Sequence, residues 1–337
     1  MIAAHNEAGV IGEKLAGCEQ IDYPRDRLEI IVADDGSTDG TADLAAAHAG
    51  VRVVRGAERR GKVAALNLGA SVARGEIIVF TDANNTYVPG AIRAMVAPFA
   101  DPGVGIVAGR KVIDDGTGRP LDRVESAYWR YEAAILRLES RVGSVTGVTG
   151  ECIAVRRRLY HPIPIGIVND DQYLASRTAL EGWRVAYADE ALSIERASAT
   201  TAGEGTRRGR IVRGRMQALG RLLPGLLLNR PAYAFQLISH KGLRLLLPWA
   251  VLLGVLADVV LVVTTPSVPA RLLLAAGGVF LAVGALGWWV ERRPHEGRHW
   301  TYLPYYVVRV ALSGIAGTMR AMATRTGAAT WTKVERG

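Results

Sequence analysis

Short apolar runs alternate with longer stretches of helical periodicity through the first half of the chain. Strand-length runs fall at residues 28–33, 51–54, 76–80 and 104–108, and residues 1–4 read as the end of another strand. The spacing between them predicts helices over 7–20, 41–48, 62–73 and 89–99, then a longer one over 123–140. Strands alternating with helices point to an α/β fold with a mostly parallel sheet covered on both faces, a layer of the nucleotide-binding type. In the long helix, Tyr128, Trp129 and Tyr131 are expected in the core or at an interface. The first strand reads as clipped, which places the natural start upstream of Met1.

The pattern changes after about residue 200. Apolar runs cover 243–263 and 271–290, each near the ~20 residues needed to cross a bilayer. A third, 302–319, is interrupted by Arg309 and reads either as a span or as a surface-lying helix. For 337 residues, a mean hydropathy of +0.14 is high for a soluble enzyme. Four parts are expected: a catalytic domain over 1–220, a basic amphipathic interfacial segment over 221–242, a membrane region of two or three helices over 243–322, and a basic tail over 323–337.

Charge refines the picture. The chain carries a net +9, and between Glu204 and Asp258 no acid interrupts nine basic residues that begin at Arg207. That stretch adjoins apolar segments and lacks interleaved aromatics, so nucleic acid is not the expected partner. Anionic lipid, phosphate groups and the positive-inside rule account for it. The uncharged link 264–270 is expected outside, and the loop 291–299 with Arg292, Arg293 and Arg298 in the cytoplasm beside the catalytic domain. An integral protein of a bacterial-type plasma membrane follows. Asp258, the one acid inside an apolar run, is expected near the outer interface. Cys18 and Cys152 provide neither a disulfide framework nor a metal cluster.

Two acidic turns hold the candidate chemistry. Asp34-Asp35-Gly36-Ser37 follows the run 28–33 and precedes a helix, which puts the carboxylates at the carboxyl end of a parallel strand. Adjacent acids there suit hydrogen bonding to a nucleoside or help in placing a divalent cation. Asp82-Ala83-Asn84 follows another apolar strand, and Asp82 and Asn84 can face one ligand. A carboxylate plus an amide oxygen suits Mg²⁺ or Mn²⁺ that takes its other ligands from a diphosphate and water.

With Asn6-Glu7, Gly61-Lys62, Ala65-Leu66-Asn67, Thr149-Gly150-Glu151 and Asn169-Asp170-Asp171, these turns resemble the motifs of membrane-bound family 2 glycosyltransferases of the GT-A fold, in order and spacing over about residues 2–220. The closing segment 331–336 resembles membrane-bound members too. The resemblance implies a Rossmann-like GT-A domain that transfers sugar from a nucleotide-diphosphate donor, expected to be a UDP-sugar, to a hydroxyl of a lipid or glycan acceptor at the membrane. It assigns Ala4, Asn6, Glu7, Asp34, Asp35, Lys62, Asp82, Ala83 and Arg210 to the nucleotide sugar, and Asp82 with Asn84 to the metal. Thr149, Gly150 and Glu151 fall on the acceptor side. Asp171 aligns with the catalytic base, and Asp170 stands where the family has Glu. One such base implies inversion at the anomeric carbon.

Two departures matter. Asn84 replaces an acid of the metal motif. The Gln-x-x-Arg-Trp segment of processive synthases aligns with Arg207–Ile211, where only Arg210 survives. Ile211 cannot stack on an acceptor sugar as Trp would, so long-chain synthesis is not expected, and Arg207, Arg208 and Arg210 are expected to meet a diphosphate or a lipid-phosphate acceptor instead. A nucleotidyltransferase would want a Gly-rich basic loop, which residues 5–9 lack. A non-catalytic sugar-nucleotide-binding membrane protein would be expected to lose the base, yet Asp170 and Asp171 are both present.

Overall fold

The computed structural model describes residues 1–114, 120–196, 201–265, 267–291 and 300–323. The arginine-bearing loop 292–299 and the tail beyond 323, with its 331–336 segment, lie outside them.

The amino-terminal half alternates as expected: β1 (Ile2–Ala4), α1 (Ala8–Glu19), β2 (Ile30–Asp34), α2 (Thr41–Ala46), β3 (Val51–Arg55), α3 (Lys62–Val72) and β4 (Ile77–Asp82). Then come β5 (Asn85–Tyr87), α4 (Ala91–Val96), β6 (Val104–Asp114), α5 (Pro120–Val142), β7 (Ile153–Arg156), α6 (Asp170–Leu180) and β8 (Arg184–Arg196). The eight strands form one sheet in the order β3-β2-β1-β4-β7-β6-β8-β5.

The sheet is mostly parallel, as expected, with two of its eight strands reversed. β3, β2, β1 and β4 are parallel, but β7 runs antiparallel to both β4 and β6, and β5 antiparallel to β8. β7 is only four residues long and follows α5 through the loop that contains Thr149–Glu151, so no long apolar run announces it. The sheet is therefore mixed. Its strand order reverses between β1 and β4, and the crevice at their carboxyl ends is where open α/β sheets bind ligands.

Alternation along each strand feeds two cores. On β1, Ala3 faces a cluster with Phe80, Ile106 and Leu174, while Ile2 and Ala4 face another with Ile11, Met95 and Val107. Both faces are thus covered, as nearly continuous apolar strands require.

The carboxyl-terminal part is helical: α7 (Thr201–Asn229), α8 (Pro231–Leu237), a π-helical turn Ile238–Gly242, α9 (Leu243–Thr264), α10 (Val268–Glu291) and α11 (Tyr302–Ala323). The division expected at residue 220 falls inside α7. Leu222, Leu226, Tyr233, Ala234 and Leu237 are buried in the core beneath the sheet, so residues 221–242 also pack as part of the catalytic body.

Two helical stretches are long and apolar enough to cross a membrane, Pro231–Thr264 and Val268–Val290. α11 buries one side, with Tyr302, Tyr305, Tyr306 and Thr318, and leaves the apolar Leu303, Val307 and Leu312 exposed on the other. It packs along α7 where Gly209 and Gly317 let the backbones approach. A Cβ on Gly317 would lie 3.2 Å from the Gly209 Cα.

Candidate active site

The acidic turn after β2 is a scaffold built from its own backbone. Asp34 Oδ2 accepts from Ser37 N at 3.1 Å. Asp35 Oδ1 and Oδ2 accept from the backbone N–H groups of Arg60 and Gly61, both at 2.8 Å. Gly61 has φ +97°, which a side chain would strain, and this conformation presents its N–H to Asp35 at the start of α3.

Among the described residues, Asn6 is the non-glycine residue with positive φ (54°). Its Oδ1 accepts from Thr38 N at 2.9 Å, and its own N–H donates to Ser37 Oγ at 2.9 Å. The Ala4 carbonyl accepts from Asp35 N at 2.9 Å. Ala4, Asn6, Asp34 and Asp35 thus interlock behind the crevice, while Glu7, Lys62, Asp82 and Ala83 line it.

Lys62 opens α3, where a cation works against the helix dipole. Its Nζ donates to Asp82 Oδ1 at 2.6 Å. Burial opposes the charge, but Asp82, Asp170 and Asp171 outweigh it and hold the ammonium protonated, well above the ordinary lysine range. A second acidic cluster therefore faces Lys62 from across the crevice. Gly150 marks the meeting point: a Cβ there would lie 3.4 Å from Lys62 Nζ and 3.6 Å from Asp170 Oδ2.

Asp171 sits in the first turn of α6. It accepts from Gln172 N at 2.6 Å and from Gly150 N at 3.0 Å. A carboxylate placed there only to cap the helix would be held low by the dipole. Burial and the neighbouring Asp170 instead push Asp171 up to about 6, against the pull of those N–H groups and Lys62. Its proton affinity is thus tuned toward neutral pH, as a general base requires.

Asp82 and Asn84 both line the cavity at the end of β4. Asn84 Nδ2 donates to Glu195 Oε1 at 3.2 Å. A carboxylate only accepts, so Glu195 fixes the amide nitrogen and leaves Asn84 Oδ1 as an oxygen donor. Carboxylate and amide oxygens fit a hard divalent cation. Among the described residues no group of three or more His, Cys, Asp or Glu could hold a metal alone, so such an ion would draw its remaining ligands from substrate and water.

A family model described as Glycosyl transferase family 2 matches residues 1–163. The chain carries a family 2 glycosyltransferase domain. Its GT-A fold is similar to that of the mannosyltransferase PcManGT from Pyrobaculum calidifontis, solved in complex with GDP-Man and Mn²⁺. The two share 28% identity and a TM-score of 0.67, over 93% of this chain and 85% of that one. The chain is 29% identical over 194 residues to a beta-monoglucosyldiacylglycerol synthase of Synechocystis sp., covering 55% of this chain and 40% of that protein. It is 35% identical over 118 residues to the probable glycosyltransferase YdaM of Bacillus subtilis, covering 33% and 28%. The matched stretch spans less than half the length of both curated relatives.

Several residues of this candidate site escaped the sequence reading. Lys14 is buried on α1, and its Nζ donates to Thr81 Oγ1 at 2.7 Å and Asn85 O at 2.8 Å. Burial lowers its pKa to about 8. The signal was there: Lys14 falls in the apolar stripe Ile11, Leu15, Cys18 of that helix. Lys111 is a buried cation on β6, beside the apolar run Val104–Ala108. Its Nζ pairs with Glu151 Oε2 at 2.9 Å and with Glu195, and it lies 5.1 Å from the centre of the Trp129 ring. Tyr128 and Trp129, expected in the core or at an interface, line the cavity instead.

Glu151 Oε1 and Thr149 Oγ1 are buried with no hydrogen-bond partner among the described residues. Arg210 and Ile211 reach the same cavity from α7. Burial lowers the Arg210 guanidinium, with Asp170, Asp82 and Asp171 pulling against it. The cavity measures about 1720 Å³. That exceeds the ~300–1,000 Å³ of a one-ligand pocket and leaves room for two substrates.

Proposed function

We propose that the protein transfers a sugar from a nucleotide-diphosphate sugar, with inversion, to a hydroxyl of a membrane-associated lipid or glycan. One observation carries this reading: Lys62 lies between Asp82 and the Asp170–Asp171 pair, beside Gly150, in a cavity of about 1720 Å³. Asp171 takes the acceptor's proton as the hydroxyl oxygen bonds to the anomeric carbon. The bond from that carbon to the diphosphate oxygen breaks on the opposite face, so configuration inverts. Lys62 and Arg210 offer positive charge to the departing diphosphate.

Asp82 and Asn84 would hold Mg²⁺ or Mn²⁺, which supplies charge neutralisation to the diphosphate when bound. Asn6, Asp34 and Asp35 hold the floor on which the nucleoside rests. Thr149 Oγ1 and Glu151 Oε1 have hydrogen-bonding capacity left for substrate hydroxyls. The Mn²⁺ and GDP-Man in the PcManGT complex support the metal and the donor class, and leave GDP as open as UDP. The two apolar helices support a membrane protein. Its catalytic domain would lie on the cytoplasmic side, with residues 1–220 as its main body, 221–242 joining it to the membrane region 243–322, and 323–337 as a basic tail.

Purified membranes should release nucleoside diphosphate from UDP-, GDP- or dTDP-sugars, and a chelator should stop the release. No release from any of the three would overturn the reading. Asp82→Ala should weaken Mn²⁺-dependent nucleotide binding by about tenfold or more, as loss of a metal ligand does. Calorimetric titration with and without Mn²⁺ reads this directly, and unchanged metal dependence would move the metal elsewhere.

A further inference from the structure

The cavity that contains Asp82 and Asp171 does not end at the catalytic domain. It continues between α9 and α11, where Leu247, Pro248 and Val251 face Val310 and Gly314. Leu247 and Val251 are 61% and 56% exposed, so this end is open at its side, at the depth of the apolar helices. α9 and α11 are held together above it by Trp249 Nε1, which donates to Thr318 Oγ1 at 2.9 Å.

Where the polar site meets this groove, cations dominate. α7 contributes Arg207, Arg208, Arg213 and Arg215, and α11 contributes Arg309 and Arg320. Among the described residues, Asp114, Glu125 and Glu132 line the same cavity. Glu132 already serves Lys241 at 2.8 Å, His240 at 3.2 Å and Arg244. Arg208 donates to Tyr306 Oη at 2.6 Å and lies over the Tyr128 ring. Arg215 Nε is buried with no hydrogen-bond partner among the described residues. The unpartnered Nε of Arg215 calls for an acceptor, and the fork geometry of the guanidinium groups here matches phosphate.

We propose that the acceptor is a lipid whose hydroxyl-bearing headgroup is joined to its chain through a phosphate. This rests on the reading of the site as a glycosyltransferase. The phosphate lies among Arg213, Arg215 and Arg309, and the chain leaves through the groove between α9 and α11. The headgroup hydroxyl then reaches the donor sugar beside Asp171. The oxygen bonds to the anomeric carbon, its proton passes to Asp171, and the nucleoside diphosphate departs with the electron pair of the broken bond. The phosphate is not consumed: it is the handle by which the enzyme tells this lipid from a neutral one such as diacylglycerol.

The test uses the full-length protein in phosphatidylcholine nanodiscs doped with either phosphatidylglycerol or diacylglycerol, with metal and labelled donor. Transfer to phosphatidylglycerol at least tenfold faster than to diacylglycerol is expected. Arg213→Gln and Arg309→Gln should raise the KM for phosphatidylglycerol about tenfold, while donor KM and donor hydrolysis to water stay within twofold. Gly314→Leu, which leaves every charge in place and fills the groove against Pro248 (3.1 Å from a Cβ at this glycine), should raise the lipid KM alone.

Equal use of diacylglycerol overturns the proposal. So does a rise in donor KM in the arginine variants, which would assign these groups to the donor's diphosphate. Hydrolysis of donor without transfer to either lipid removes the phospholipid acceptor and leaves the donor reading standing. Absence of hydrolysis removes both. Thermal midpoints of the three variants within a few degrees of the parent separate these outcomes from misfolding.

Discussion

Asp171→Asn should lower kcat by about 10²–10⁴-fold, the range that a positioned general base contributes. Donor affinity should change by less than about twofold, because Lys62, Asp82 and Arg210 remain. The pH profile gives an independent check. Asp171 must be ionised to accept the acceptor's proton, and its pKa is raised to about 6 by burial and by Asp170. The rate should therefore be flat above about pH 7 and fall about tenfold per unit below pH 6. Asp170→Asn removes the like charge and should move this acid limb to lower pH.

Stability should follow the opposite sign. The folded pKa of about 6 lies above the unfolded value of 3.8, so the cost of holding the carboxylate ionised is full above pH 6 and is relieved as pH falls from about 6 to about 4. Asp171→Asn should hold or raise the thermal midpoint at pH 8. A lower midpoint together with unchanged kcat would make Asp171 a structural residue.

The second large effect concerns folding. Lys111→Met should destabilise the protein by about 3–5 kcal/mol, because it leaves the Glu151 and Glu195 carboxylates buried without their cation. The side chains of Lys111, Glu151 and Glu195 are 1%, 7% and 0% exposed, so water cannot replace the lost partner. For a domain of this size that is a fall of roughly 6–20 °C in the thermal midpoint. Lys111→Met combined with Glu195→Gln should recover part of the loss, since one of the two stranded charges is then gone. An unchanged midpoint in the single variant would show that the triad is not closed in the folded protein. Glu195 also fixes the Asn84 amide, so the single variant should weaken metal-dependent binding as well.

Much of the first half of the fold was legible in the chain. The strands ending at Asp34 and Asp82 are apolar runs with a polar turn after them, and the helices from Ala8 and Lys62 carry a regular apolar stripe. Both are local patterns, set by the period of the backbone. β7 and β8 were not legible as partners of β6. Four and thirteen residues of mixed character become strands because the sheet edge beside β6 pairs with them, a preference that packing sets more than sequence.

At the site the division is similar. The kinds of chemical group available, and their order along the chain, followed from the sequence: two acidic turns, a lysine opening a helix, a pair of aspartates at the start of another. Spacing along the chain could not say that Gly150 sits between Lys62 and Asp170, nor that the Asp34–Asp35 turn spends its oxygens on the backbone of residues 37, 60 and 61. Nor could it say that α5 turns Tyr128 and Trp129 toward the cavity, or that one opening joins Asp171 to the groove beside Val251. Local order is written in neighbouring residues. Burial, hydrogen-bond partners and proton affinity depend on groups far along the chain, 111 positions away between Asn84 and Glu195, so they came into being only when helix faces and strand edges met.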